Sequence, residues 1–169
     1  IIKMICIIQA RLGSSRLKKK LVQKINKHKI IEWVLIRAIK IKKIKKVILA
    51  IPKGNLNKPL INYAKKYGCD YFQGSENNLV KRFLDVLKNN KEENFIRICA
   101  DNPFICPKEI ERLIVFFRKN RFDYVYNHRP IDNSYPDGLG GEISNLKTLN
   151  KIYTKAKSKS HKEHMFNYL

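Results

Sequence analysis

The chain has 169 residues, of which 44% are apolar, and a net charge of +22. That length and apolar share suit one domain with one core and exclude wholesale disorder. No stretch approaches the roughly 20 apolar residues of a membrane span, and the run Ile5-Cys6-Ile7-Ile8 is too short for a signal-peptide core. The basic residues are mostly lysines spread along the whole chain. Charge dispersed in that way reads as solvated surface, because a nucleic-acid surface concentrates it in a patch or tail. Cys6, Cys69, Cys99 and Cys106 form no CxxC pair and no metal-ligand rhythm, which fits a reducing cytoplasm. The chain begins at Ile1 and ends at Leu169 inside an apparent helix, as expected of an N-terminal fragment.

Residues 4–8 open the chain with a continuous apolar run, the pattern of a strand buried on both faces. It is expected to be a central parallel strand. After the basic loop that follows, residues 30–41 place Ile30, Ile31, Val34, Leu35, Ala38 and Ile41 on one helical face. Trp33 is expected to join that core. Residues 47–51 form a second buried strand, and 60–67 a second amphipathic helix with Gly68 at its C-cap. Residues 79–87 repeat the helical pattern, 95–99 the strand pattern. Pro107 begins another helix, carrying 110–117, with Glu109 and Glu111 near its start. Residues 124–126 read as a last short strand. Strand–helix–strand alternation predicts an α/β fold with a mostly parallel sheet, whose ligand site lies beyond the carboxyl ends of the strands.

Two segments fall at such ends. The first strand runs into Gln9-Ala10-Arg11-Leu12-Gly13-Ser14-Ser15-Arg16-Leu17-Lys18-Lys19-Lys20. Gly13 and the two serines make a small-residue turn whose amides can approach an anion closely. Arg11, Arg16 and Lys20 add charge and donors for a triphosphate. The GxxxxGK[ST] spacing of a Walker loop is absent. The plain alternative is a solvated basic loop. Asp101 follows the strand at 95–99 and precedes Pro103, so it sits in a restrained turn, as a metal ligand or as a simple cap. Arg82 and Arg97 could contact base, phosphate or a sugar carboxylate, or carry surface charge. Asp137 and Glu142 flank a glycine-rich turn. Ser160 and Glu163 form a capping-box pattern around His161, and no third ligand supports zinc at His161 and His164.

The segment from Gln9 to Leu17 resembles the opening signature of the spore coat polysaccharide biosynthesis cytidylyltransferases, which are similar to the acylneuraminate and deoxy-manno-octulosonate cytidylyltransferases. Where that family continues with proline, glycine and lysine, this chain has Lys18, Lys19 and Lys20. Further matches are Phe72-Gln73-Gly74-Ser75-Glu76 with Arg82-Phe83, and Arg97-Ile98-Cys99-Ala100-Asp101-Asn102-Pro103. Tyr124 to Asn127, Tyr135 to Glu142 and His161-Lys162-Glu163-His164 match later segments, with Gly140 where relatives often carry an acidic residue.

The resemblance implies a single nucleotidylyltransferase domain over 1–169, truncated at its C-terminus. Its expected fold is a three-layer α/β/α, nucleotide-diphospho-sugar transferase-like (Rossmann-like) domain. The implied reaction joins CTP and a small sugar acid into a CMP-sugar with release of pyrophosphate, for surface polysaccharide synthesis, with Mg²⁺ as cofactor. Its implied nucleotide residues are Gln9, Ala10, Arg11, Gly13, Ser14, Ser15, Arg16, Lys20, Arg82 and Arg97. Lys20 and Asp101 would be catalytic, Asp101 also holding the metal beside a second aspartate from a later motif. Asn127, Asp137, Gly138, Glu142 and His164 would meet the sugar. A cytoplasmic homodimer is the expected setting. Two other readings stay open: a non-catalytic nucleotide-binding remnant of the same family, and a basic nucleic-acid-binding domain.

Overall fold

The strand Met4–Gln9 (β1) alternates its side chains between two cores, and this is why the run is apolar at nearly every position. Met4, Cys6 and Ile8 face one layer of helices; Ile5 and Ile7 face the other. The computed structural model describes residues 4–13, 17, 19–128, 136–155, 158 and 165–169. Parallel strands flank β1 on both sides, Ile44–Pro52 (β4) and Asn94–Cys99 (β6). The six-stranded sheet has the order β5-β4-β1-β6-β8-β7. Asp70–Gly74 (β5) lies parallel at one edge; Glu142–Asn145 (β8) and Tyr124–Tyr126 (β7) close the other edge antiparallel. A two-stranded hairpin, Lys24–Ile25 (β2) with His28–Lys29 (β3), stands apart from the sheet.

One face is covered by Ile30–Ala38 (α1), Pro59–Lys66 (α2) and Pro107–Lys119 (α4). The other is covered by Leu79–Asn90 (α3) and Leu146–Lys155 (α5). The result is the three-layer α/β/α arrangement. Each boundary has a local cause. Pro59 and Pro107 start their helices, where a missing N–H costs nothing. Asn78 caps α3 by accepting from the Lys81 amide at 2.9 Å. Gly68, at φ 65°, turns the chain out of α2 and lets the Cys69 amide reach back to the Ala64 carbonyl.

Two expectations shift, and one matched segment divides between strand and turn. The first helix stops at Ala38 rather than reaching Ile41, although Ile41 stays buried in the following turn. Trp33 is only half-buried: its indole N–H donates to the Ile25 carbonyl at 2.9 Å, so a polar edge keeps it at the hairpin rather than in the core. Phe72, Gln73 and Gly74 lie within β5, and the turn begins only at Ser75.

α1 is held by a charged cluster at its start. Glu32 is buried, yet it accepts from the Lys29 amide, from Lys66 Nζ at 2.7 Å and from the Tyr67 hydroxyl at 2.9 Å. Burial alone would raise its pKa; those three hydrogen bonds outweigh it and lower the carboxyl to about 2. A carboxyl depressed in the folded state stabilises above its unfolded pKa and loses that contribution as the pH falls through the folded value. Glu32→Gln is therefore expected to cost roughly 2 kcal/mol near neutrality, allowing for solvent around Lys66. The gap from wild type should close as the pH falls from about 4.5 toward 2. Urea midpoints of both proteins across that range check this; a gap independent of pH contradicts it.

Candidate active site

β1 is the switch point of the sheet. The chain leaves it toward β4 and β5, then returns to place β6 on its other side. Loops leaving the carboxyl ends of β1 and β6 therefore diverge around a crevice, where open α/β sheets bind ligands. The β1 loop passes Arg11, Leu12 and Gly13 and ends in the short turn Lys20–Val22. The β6 loop carries Asp101. Across the crevice Lys20 Nζ donates to Asp101 Oδ2 at 2.8 Å, with the two side chains 38% and 43% exposed. Residues 81 positions apart thus meet at the mouth of the sheet, and both can still reach a ligand.

Lys19, just before this lysine, has φ 56° and ψ 28°. This left-handed backbone favours glycine. It occurs at the position where the resembling family carries glycine, so the bend is kept without the residue that suits it. Ser14, Ser15, Arg16 and Lys18 lie outside the described residues.

The loop's first half is fastened by β4 and the turn Asn55–Asn57 that follows it. The buried side chain of Asn57 accepts from the Leu12 amide at 2.9 Å, and Leu56 lies against Gly13. The Ala10 amide donates to the Ala50 carbonyl, extending the sheet's ladder one step past β1. Asn57 escapes notice in the sequence because it reads as one more turn asparagine; only the fold brings it under the loop.

Arg11 is exposed at the loop. Arg82 is 3% exposed, and its Nε and Nη2 both donate to the Ser75 carbonyl, at 2.9 and 2.7 Å. Burial, with the nearby charge of Arg11, lowers the Arg82 guanidinium to about 10. Crowded cations of this kind are relieved by an anion. Arg82 thus shapes the turn after β5 from inside and adds its field to the crevice.

Arg97 and Glu142 lie opposite each other on β6 and β8 and form a buried ion pair. Glu142 also accepts from the Tyr124 hydroxyl at 2.7 Å, and Arg97 Nε donates to Gln9 Oε1 at 2.9 Å. Burial opposes the charge on Arg97, but Cys99 and Glu142 outweigh it and raise its pKa. Glu142 is thus a strand residue committed to an internal network, whereas the sequence suggested a loop carboxylate.

Asn127 is engaged as well: its Nδ2 donates to the Glu109 carbonyl at 3.1 Å and its Oδ1 accepts from the Gly141 amide at 3.1 Å. A Cβ on Gly140 would lie 2.2 Å from the Asn127 carbonyl oxygen, so this backbone has no room for an acidic residue there. Asp137 is exposed and Gly138 sits beside the Asn102 side chain, next to Asp101. His164 lies outside the described residues.

The cytidylyltransferase family model matches residues 5–168. The chain belongs to the cytidylyltransferase family. This makes it a nucleotidyltransferase that draws on CTP. It is 33% identical over 167 residues to an uncharacterised protein of Methanocaldococcus jannaschii, covering 99% of this chain and 67% of that one. It is 29% identical over 168 residues to the spore coat polysaccharide biosynthesis protein SpsF of Bacillus subtilis, covering 96% of this chain and 68% of that protein. Among solved structures it superimposes on a cytidylyltransferase from Leptospira borgpetersenii with a TM-score of 0.91 at 27% identity, over 99% of this chain and 71% of the other. The chain thus spans about two thirds of the length of these relatives.

The left-handed residue in the cytidylyltransferase loop gives a direct test. Lys19→Gly is expected to leave stability unchanged or raise it by up to about 1 kcal/mol, the relieved strain being partly offset by a freer unfolded chain. Lys19→Val should lower it by about 1–2 kcal/mol. Chemical denaturation measures both, and a valine variant as stable as the glycine variant would show that this bend is not held left-handed.

Proposed function

We propose that the chain transfers the cytidylyl group of CTP to a sugar acid for the synthesis of a surface polysaccharide, releasing pyrophosphate. The observation that carries this reading is the Lys20–Asp101 pair, poised across the switch point between the anion-binding loop and the β6 turn. A sugar hydroxyl oxygen attacks the α-phosphorus and gives its proton to water, the bond from that phosphorus to the bridging oxygen breaks, and pyrophosphate leaves with the electron pair. The chemistry needs positioning and charge stabilisation rather than covalent help.

Each residue has a part in this reading. Arg11, Gly13 and Lys20, with Ser14, Ser15 and Arg16 of the same loop, cradle the triphosphate. With the triphosphate bound, Lys20 would turn to the phosphates and Asp101 would hold a divalent cation. The Asp101 carboxylate offers the hard oxygen donors that suit magnesium. Magnesium typically takes one or two carboxylates and fills the rest with phosphate oxygens and water. When bound, it would neutralise charge gathering on the pyrophosphate. Asp137 and Gly138, beside Asn102, line the side from which the sugar enters. His164 of the later segment is a further sugar contact in this reading. Asn127 and Glu142 support that wall from within through the contacts that hold β7, β8 and α4 together.

The dispersed charge serves attraction of polyanionic substrates rather than nucleic acid. Among the described residues no helix is long and apolar enough to cross a membrane.

Pyrophosphate release with CTP, Mg²⁺ and a panel of sugar acids tests the proposal. Asp101→Asn should lower the rate by roughly 10²–10³-fold. It should leave the thermal midpoint nearly unchanged, because an exposed ion pair adds at most about 1 kcal/mol. A near-wild-type rate in that variant would make Asp101 a turn residue and move the metal elsewhere.

A further inference from the structure

The outer side of α4 carries a stripe that the crevice does not use. Its inner side, with Ile110, Leu113 and Ile114, is buried against the sheet. At intervals of one turn on the outer side stand Lys108, Arg112, the pair Val115 and Phe116, and Lys119, all exposed. Past the helix Asn120 turns the chain back: its amide and its Nδ2 both donate to the Phe116 carbonyl, at 3.3 and 2.9 Å. This brings Phe122 onto Phe116, the rings nearly parallel and their centroids 5.7 Å apart. The two residues remain 51% and 50% exposed. Large rings stacked on each other yet half in water form an apolar ridge, the kind of surface that marks an interaction site.

Cations surround the ridge. Lys43, Lys108, Arg112 and Lys119 line a groove beside Phe116, and Arg118 and Arg121 line another beside Phe122. The nearby acids are already engaged. Glu109 accepts from Arg112 at 3.0 Å, Glu111 from the Lys42 amide at 2.8 Å and Asp123 from the Asn145 side chain at 3.4 Å. Met4 and Asn94 also line the second groove. They begin β1 and β6, so the ridge lies at the amino ends of the parallel strands, the pole opposite the crevice. An occupant of the ridge leaves the crevice open.

We propose that this face of α4 docks on the surface of an anionic lipid bilayer. Phe116 and Phe122 enter the boundary between headgroups and acyl chains, and the lysines and arginines around them meet the lipid phosphates. Charge complementarity selects this occupant. A second copy would bring the same six cations against themselves, in a chain of net charge +22. An acidic peptide would lie along one groove and leave the cations of the other unmatched. A bilayer presents phosphates across a plane, reaching both grooves, with apolar chains beneath for the ridge between them. The long stems of Lys and Arg let their charged ends stay at headgroup level while the rings go deeper. The chain lies on the bilayer in this way without crossing it, and the proposal does not depend on the reaction in the crevice.

Co-sedimentation of the whole chain with phosphatidylcholine vesicles, with and without phosphatidylglycerol, tests this at physiological salt. Wild type should bind only the vesicles that contain phosphatidylglycerol. A chain this basic is drawn to any anionic surface, so two sets of variants separate docking from that attraction. Phe116→Ser with Phe122→Ser leaves the charge alone and should weaken vesicle binding at least about tenfold, with the thermal midpoint close to wild type. Lys108→Glu with Lys119→Glu on α4 should weaken it far more than Lys147→Glu with Lys151→Glu, exposed on α5 in the other helical layer, although both pairs change the net charge equally. A serine variant that binds like wild type, or equal losses from the two charge reversals, would overturn the proposal. So would wild type that ignores both kinds of vesicle; binding of a glutamate–tyrosine copolymer in its place would then point to a protein partner. A lipid-free dimer that the serine variant disperses, seen by sedimentation equilibrium, would also overturn it and give the ridge to a second copy.

Discussion

The ion pair between Lys20 and Asp101 can form only because β1 and β6 are adjacent and parallel, and because each strand ends in a loop of the right length. β1 is buried on both faces by Met4, Cys6 and Ile8 on one side and Ile5 and Ile7 on the other. Its carboxyl end is therefore fixed relative to both helical layers. The Ala10 amide bonds to the Ala50 carbonyl and the Ala100 amide to the Gln9 carbonyl, carrying that rigidity one residue past each strand. Only then do the loops diverge. A cation and a carboxylate held at 2.8 Å at the surface add little to stability. Their significance lies in the proposed reading, in which a polyanion and a divalent cation compete for them.

A second layer of polar structure lies beneath that pair. Arg97, Glu142, Tyr124 and Gln9 are linked across β1, β6, β8 and β7. A buried ion pair of this kind is weak evidence for stability, since desolvation offsets much of the attraction. It gives orientation instead, and the site needs orientation more than it needs strength. Arg82 behaves similarly: it spends its donors on the backbone after β5. Two arginines that the sequence offered as ligand contacts thus each hold neighbouring groups inside the fold.

Much of this was legible beforehand. Continuous apolar runs marked β1, β4 and β6, because strands buried on both faces leave no polar alternation to interpret. Helical periodicity marked α1 to α4, and the small-residue basic loop and Asp101 stood at strand ends. What stayed hidden has physical reasons. β8 has one apolar residue, Ile143, between Glu142 and Ser144, and all three are buried. Polar residues buried through partners on other strands erase the period that marks a strand. α5, at 146–155, carries only Leu149 and Ile152 as buried apolar residues among lysines, threonines and one asparagine. Asn57 and Gln9 gain their roles from contacts 45 and 88 residues distant, which no local pattern reports. The family resemblance, rather than composition, supplied the reaction.

The central claim is that Lys20 and Asp101 exchange each other for the triphosphate and its cation. Calorimetric titration of CTP with and without Mg²⁺, on wild type, Lys20→Met and Asp101→Asn, addresses it directly. Lys20→Met should weaken binding under both conditions. Asp101→Asn should bind metal-free CTP more tightly than wild type, because Lys20 is released and a repelling carboxylate is gone, while losing the gain that Mg²⁺ gives wild type. If Asp101→Asn binds metal-free CTP no better than wild type and keeps the full benefit of Mg²⁺, the pair is a surface contact and the site is built differently.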